Sequence, residues 1–279
     1  MGDRPEALDR ALRSVLDQQL PTGTTLEVLV LSNGGGPVAV PDGVRSEELA
    51  TNLGIPGGRN EGVRRTSADL LLFLDDDGYY PTADVIARLV ERFDADPRLG
   101  VVSLKVVDSA GGSGQRRHVP RVRAGDPDRS SEVTTFLGGA SAIRRAVFDT
   151  CGGYADAFFF GHEESDLAWR ALDAGFGIRY CGDIAMAHAS RPPATNAESL
   201  RLNARNRVWL VRRRLPWSLA FAHLAVWAVL TAVRLRRLGL VLAWLRGLRD
   251  GWREPAGERA PIRWRTAWRM TLLGRPPVI

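Results

Sequence analysis

Asp69-Leu-Leu-Leu-Phe-Leu74 followed by Asp75-Asp76-Asp77-Gly78 decides how this chain reads. The apolar run has the length and composition of a buried strand, and three carboxylates close it. Carboxylates crowded at the C-terminal end of a strand repel one another unless a cation sits between them. In an open α/β sheet that same end is where ligands bind. On the triplet alone a solvated acidic turn is the favoured reading, because Gly78 follows and Asp is common in turns. The surrounding chain has to decide.

Outward from that strand, helical and strand patterns alternate. Upstream, Pro5 to Leu16 carries Leu8, Ala11, Leu12, Val15 and Leu16 on one helical face, with Pro5 suited to the first turn. Leu26 to Leu31 reads as a short strand ending at Ser32-Asn33-Gly34. Asn52 to Gly62 reads as a glycine-rich loop. Downstream, a helix is expected from Thr82 to about Phe93 and a strand from Gly100 to Val107. Residues 109 to 132 are polar and suit a mobile loop. Val133 to Leu137 and Ala140 to Ile143 flank Gly138-Gly139. A helix follows over Glu164 to Ala174, then strands at Ile178 to Cys181 and Ile184 to Ala187, ending at His188. This alternation predicts an α/β fold with a mostly parallel mixed sheet and helices on both faces.

The 279 residues suffice for one large α/β domain and an appendage. Charged residues make up 25% of the chain and hydrophobic ones 44%, which excludes a disordered polymer. Cys151 and Cys181 are too few for a disulfide framework or a zinc site, so a reducing compartment is expected. No apolar segment opens the chain, so no signal peptide is read there.

The net charge of +6 is unevenly placed. From Arg201 to Ile279 there are 17 Arg, no Lys, one Asp and two Glu, so the first 200 residues carry −8. Seven of the eight Trp also lie in that basic stretch. Two regions are therefore expected, 1–195 and 196–279. In the second, Arg212-Arg-Arg-Leu-Pro-Trp217 leads into an apolar run to Val233, closed by Arg234-Leu-Arg-Arg237. That run lies at the lower limit of a bilayer span, and His223 and the flanking arginines favour helices lying in the interface instead. Anionic lipids of the cytoplasmic leaflet attract such arginine clusters. A helical lid packed on the catalytic region is the competing reading. Basic charge alone also fits nucleic acid, but no reader motif is present and the apolar content argues against it.

These pieces, in order, resemble the family 2 glycosyltransferases of GT-A (Rossmann-like) fold, with a likeness to rhamnosyltransferase-like bacterial members that move hexosyl or deoxyhexosyl groups. The resemblance covers roughly residues 3 to 190 and rests on quoted motifs: Glu27-Val-Leu-Val-Leu-Ser-Asn33, Gly-Arg59-Asn60-Glu-Gly62, Asp75-Asp76-Asp77, Phe136-Leu-Gly-Gly139, Gly161-His-Glu163-Glu164-Ser-Asp166 with Trp169, and His188. It implies donor contacts at Ser32, Asn33, Arg59, Asn60, Asp75 and Asp76. Metal ligands are implied at Asp75, Asp77 and His188, for Mn or Mg. Acceptor-side residues are implied at Gly138, Gly139 and Trp169. The donor would be a UDP-, dTDP- or GDP-sugar, and a cation would neutralise charge on the departing diphosphate. Ser32 stands where the family commonly has an Asp, which leaves the base open.

A hydroxyl acceptor must lose its proton as it attacks, so one carboxylate should act as base. The candidates are Glu163, Glu164 and Asp166. Glu164 matches the family's catalytic position, although the usual residue there is Asp. Asp166 competes with a structural role, since Arg170 is four residues on. The membrane reading of the tail implies a saccharide or polyprenyl-linked acceptor and a place on the cytoplasmic face of the cell membrane, in cell-envelope synthesis. The fold also implies a strand before the first helix, and Met1-Gly-Asp-Arg4 stands where that strand would end. An upstream apolar, β-branched extension is the corresponding expectation. A sugar nucleotidyltransferase would not need the acidic motif near 164. A two-carboxylate glycoside hydrolase would not need the Gly-Arg segment, and a non-catalytic membrane scaffold would need only the tail.

Overall fold

A computed structural model describes residues 4–109, 118–122, 125–189 and 196–279. The polar stretch expected over 109–132 and the boundary near 195 fall partly outside those residues. The leading residues 1–3 fall outside them too.

Helix α1 (Pro5–Leu16) forms as its apolar spacing requires and buries Ala11 and Leu12. Strands β1 (Leu29–Asn33) and β2 (Arg45–Leu49) pair in parallel as a two-stranded sheet. Helix α2 (Gly54–Arg64) comes next, then β3 (Leu70–Leu74), β4 (Gly78–Tyr79) and α3 (Val85–Ala95). The central sheet is completed by β5 (Leu99–Asp108), β6 (Ser131–Glu132), β7 (Ala140–Arg144) and β8 (Gly177–His188). Helices α4 (Arg145–Cys151) and α5 (Glu163–Ala174) lie between β7 and β8. The order across the larger sheet is β3-β7-β5-β8-β4, with β6 paired to β8.

The expected α/β class holds, with helices flanking a mixed sheet, but fewer of its strand pairs are parallel than simple alternation implies. Only β5–β8 is parallel in the larger sheet, because β7 runs back between β3 and β5. The two strands expected at 178–181 and 184–187 are one strand. A register shift opposite Leu104 and Lys105 absorbs the residues between them. The segment 133–137 leads without regular structure into the Gly138-Gly139 turn.

The largest departure is at α2. Its five-residue core Gly54-Ile-Pro-Gly-Gly58 reads as loop, since glycine in a helix costs about 1 kcal/mol relative to alanine. Packing overrides that preference. A Cβ on Gly54 (φ +73°) would sit 2.5 Å from the Phe159 carbonyl, and one on Gly58 would sit 2.9 Å from the Asn33 amide nitrogen. The glycines let the helix press against neighbouring chain.

The basic region forms α6 (Ala197–Arg214), α7 (Trp217–Arg234), α8 (Leu238–Arg253) and α9 (Trp264–Leu272). Trp209, Leu210 and Val211 from α6, with Met270 from α9, enter the same core as Val101, Ile143 and Leu167. Each such side chain, fully buried, contributes about 1.5–3 kcal/mol. The lid-like reading of this region is therefore realised by α6 and α9, which pack directly on α5 and the sheet.

Candidate active site

The C-terminal end of β3 brings the aspartates to one edge of a basin of charged side chains formed with Arg59, Glu164 and His188. Asp77 is buried and lies 3.1 Å from His188 Nε2, because β4 pairs Gly78 with His188. Arg4, at the start of α1, reaches the same cluster, bonding Asp77 and lying 3.7 Å from Asp76. Asp75 points elsewhere, its Oδ1 3.5 Å from Arg59 Nη2. Of the expected ligand trio, Asp77 and His188 meet, while Asp75 is directed to Arg59. Among the described residues no three His, Cys, Asp or Glu side chains converge as a metal cluster. The two donors do fit a hard divalent cation that takes its other ligands from diphosphate oxygens.

Arg59 is the hub of the basin. Its Nη1 lies 3.2 Å from Glu164 Oε1, and its guanidinium sits 5.8 Å from the Tyr154 ring and 6.0 Å from the Phe73 ring. Burial, the strongest influence, opposes its charge, yet Tyr154, Glu164 and Asp75 leave its pKa raised. The Gly138-Gly139 turn makes this convergence possible. A Cβ on Gly138 would lie 1.9 Å from Arg59 Nη1 and 2.3 Å from Glu164 Oε1, and one on Gly139 would lie 2.0 Å from Asp75 Oδ2. Both glycines therefore act as a bare backbone floor under the charged groups.

Glu163 and Glu164 open α5 but occupy different surroundings. Glu164 remains partly exposed in the basin beside Arg59. Glu163 is buried, with Oε2 lacking a partner, and burial followed by the charge of Glu164 pushes its pKa up to about 8. A raised carboxyl pKa means the folded state holds a proton that the unfolded state releases above about 4.5. Stability from this group is full below that value and is lost as pH rises toward 8. Glu163→Gln is expected to flatten that decline, by an amount on the order of a few kcal/mol. Thermal unfolding of both proteins from acid to mildly alkaline pH checks it, and parallel curves would refute it.

Three expected site residues are engaged with other parts of the chain. Asn60 spends both amide hydrogens on Tyr154 O (2.8 Å) and Asp156 Oδ1 (2.5 Å), and its carbonyl accepts from Tyr154 N (2.9 Å). It staples α2 to the 154–156 segment and keeps no donor hydrogen for a nucleotide. Asn33 similarly bonds Gly54 O and Leu53 N, both at 2.8 Å, anchoring the start of α2. Asp166, weighed as a base, is fully buried and held by Arg170 (2.7 Å), Arg214 (2.7 Å) and Arg213 (3.3 Å). With no exposed oxygen, it locks α6 onto α5 instead of meeting an acceptor.

Trp169, expected on the acceptor side, is buried with its ring edge-on to His223 at 6.2 Å, and so faces α7. Ser32 is buried with an unpartnered Oγ. Sequence reasoning missed Arg4 and Tyr154. Neither lies in a recognisable motif; each acts through contacts with residues far along the chain.

The sequence matches the family described as Glycosyl transferase family 2 over residues 3–152. It also matches the family described as N-terminal domain of galactosyltransferase over residues 120–190. No curated protein sequence matches it. Among solved structures, Staphylococcus aureus TarS 1-349 superposes with a TM-score of 0.61 at 17% identity, covering 90% of this chain and 77% of that one. The mannosyltransferase PcManGT from Pyrobaculum calidifontis, in complex with GDP-Man and Mn2+, gives 0.52 at 16% identity, covering 98% and 70%. GalNAc-T7 with UDP, GalNAc and Mn2+ gives 0.59 at 15% identity over 78% of this chain, which spans about half of that structure (47%). At these identities the likeness is one of fold.

Proposed function

The chain belongs to glycosyl transferase family 2 and is a glycosyltransferase, and from that footing we propose that it moves a sugar from a nucleoside diphosphate donor to a hydroxyl of a membrane-held acceptor, with inversion. The observation that carries the reading is the basin itself. One largely enclosed arginine, Arg59, bridges Glu164 and Asp75 over a floor of two glycines, with Asp77 and His188 alongside.

In this reading Arg59 pairs with diphosphate oxygens in a forked contact. Asp77 and His188 would hold a divalent cation, which supplies Lewis-acid neutralisation of the diphosphate charge when bound. Neighbouring folds were solved with Mn2+ and UDP or GDP-Man, which supports a cation and a nucleotide donor. Glu164 takes the acceptor hydroxyl proton. It is the partly exposed member of the pair, whereas Glu163 is enclosed and protonated at neutral pH. A panel of nucleotide sugars with and without manganese, read by thermal unfolding, tests the donor side. Protection by one of them, larger with manganese, is expected. No protection by any nucleotide in a folded sample would remove the reading.

The helical region supports attachment to the cytoplasmic face of the membrane. Among the described residues α7 alone is long and apolar enough to cross a bilayer, and little of it is buried. Its Phe221, Val229 and Val233 are exposed, as are Leu238 in α8 and Trp268 and Leu272 in α9. Yet Ala220 and His223 are buried against the body of the protein, which favours helices lying in the interface. Flotation of the full chain with anionic vesicles, and its absence with neutral ones, is the expected result. No flotation with either would count against attachment.

A further inference from the structure

The segment that delivers Glu163 and Glu164 is strained. Phe159 (φ +61°) and His162 (φ +72°) are, among the described residues, the two non-glycine positions with positive φ. Phe160 N donates to Phe158 O at 2.6 Å, which puts Phe159 at the centre of a γ-turn of the rare, positive-φ kind. His162 stands directly before Glu163, the first residue of α5. Such conformations persist only where the surroundings over-determine them, and they gather where function needs a fixed geometry.

Much of that constraint comes from α6. Asn206 is fully buried, and its two amide hydrogens serve three carbonyls, Phe158 O at 2.8 Å and both Phe160 O and Gly161 O at 2.9 Å. The network sets which way the amide points, since Arg205 Nε donates to Asn206 Oδ1 at 3.0 Å. Arg205 Nη2 adds bonds to Ala157 O (3.3 Å) and Phe158 O (3.2 Å). Phe159 O accepts from Ile55 N at 2.9 Å, and His162 O from Asp166 N at 3.0 Å. Every backbone carbonyl from Ala157 to His162 therefore has a donor, and one side chain reaches three of them.

Packing leaves the segment little room to move. A Cβ on Gly161 (φ +86°) would sit 2.8 Å from Asn203 Oδ1, one turn earlier on α6. On the opposite side lies α2, whose Ile55 holds Phe159 and whose Arg59 lies 3.2 Å from Glu164. The segment is thus gripped between the helix that carries Arg59 and the helix that carries Asn206.

We propose that Asn206 is a positioning residue for glycosyl transfer. By holding residues 158–161 in their strained form, it fixes where the Glu164 carboxylate stands relative to Arg59. This rests on the role given to Glu164 above and extends the reacting machinery into the basic helical region. A side chain that only packs would cost stability and leave turnover of the folded protein unchanged. One that positions lowers kcat, because a displacement of about 1 Å among reacting groups costs on the order of 10²-fold.

The test uses the full chain carrying Asn206→Ala. Amide exchange read by mass spectrometry is expected to quicken by about tenfold or more over residues 157–166, and to keep the parent's rate in α3 and β5. Turnover is read as hydrolysis of the nucleotide sugar that best protects the chain from unfolding, with water in place of the acceptor. Its kcat is expected to fall by about 10–100-fold, with KM and nucleoside diphosphate affinity near the parent's. Phe159→Gly removes the Cβ that resists positive φ. Alone it is expected to behave as the parent does, and added to Asn206→Ala it is expected to restore part of kcat. Gly161→Ala presses a methyl against Asn203 and strains the same contact from the segment's side, so it carries the test if Asn206→Ala does not fold. The same fast exchange and low kcat are expected of it. Unchanged exchange in the segment, an unchanged kcat, or a loss that Phe159→Gly does not relieve would each overturn the proposal. Fast exchange in the variant of a parent that turns over no nucleotide sugar would support the hold of Asn206 on the segment while striking the assigned reaction.

Discussion

Glu164→Gln is expected to lower sugar transfer by about 10²–10⁴-fold, the usual contribution of a positioned base, while nucleoside diphosphate affinity stays close to that of the parent. The amide is nearly isosteric and can still accept a hydrogen bond from Arg59 Nη1, now 3.2 Å from the carboxylate. Arg59 also keeps Asp75. What the amide cannot do is take a proton. Transfer assays beside nucleotide calorimetry separate the two effects. Full activity in the variant would remove Glu164 from the role.

The second large effect is on stability. Asp166→Asn removes the buried carboxylate charge that faces Arg170, Arg213 and Arg214 in a site with no solvent access. Its pKa is lowered although burial, the largest influence, works the other way, because the three arginines outweigh it. Breaking a buried pair by deleting one partner costs about 3–5 kcal/mol. In a protein of this size, each kcal/mol lowers the melting temperature by roughly 2–4 °C. A fall of roughly ten degrees is expected, with earlier proteolysis in α6. An unchanged melting temperature would mean that the arginines carry no net load there.

Much of this arrangement is legible from residue order alone. The period of Leu8, Ala11, Leu12 and Val15 sets α1, and the run before Asp75 sets β3. The acidic start of α5 is equally plain, with Glu163, Glu164 and Asp166 in its first turn. Elsewhere the answer depends on partners that sequence does not display. Gly54 to Gly58 reads as loop because propensity is local, while the close approach of Phe159 and Asn33 that makes it a helix is not. Asn33 and Asn60 sit in motifs expected to meet the donor yet bond Gly54, Leu53, Tyr154 and Asp156, and only the fold reveals which side chains are already engaged.

The buried tie at Asp166 carries a mechanical meaning. Arg213 and Arg214 end the helix that precedes the exposed apolar α7, and the carboxylate they grip sits two residues past Glu164 on the reacting helix. Tilting or sinking α6 against a surface must drag that first turn along. In the proposed membrane-bound state, depth of immersion would then reach the Glu164 side chain through this buried ion pair.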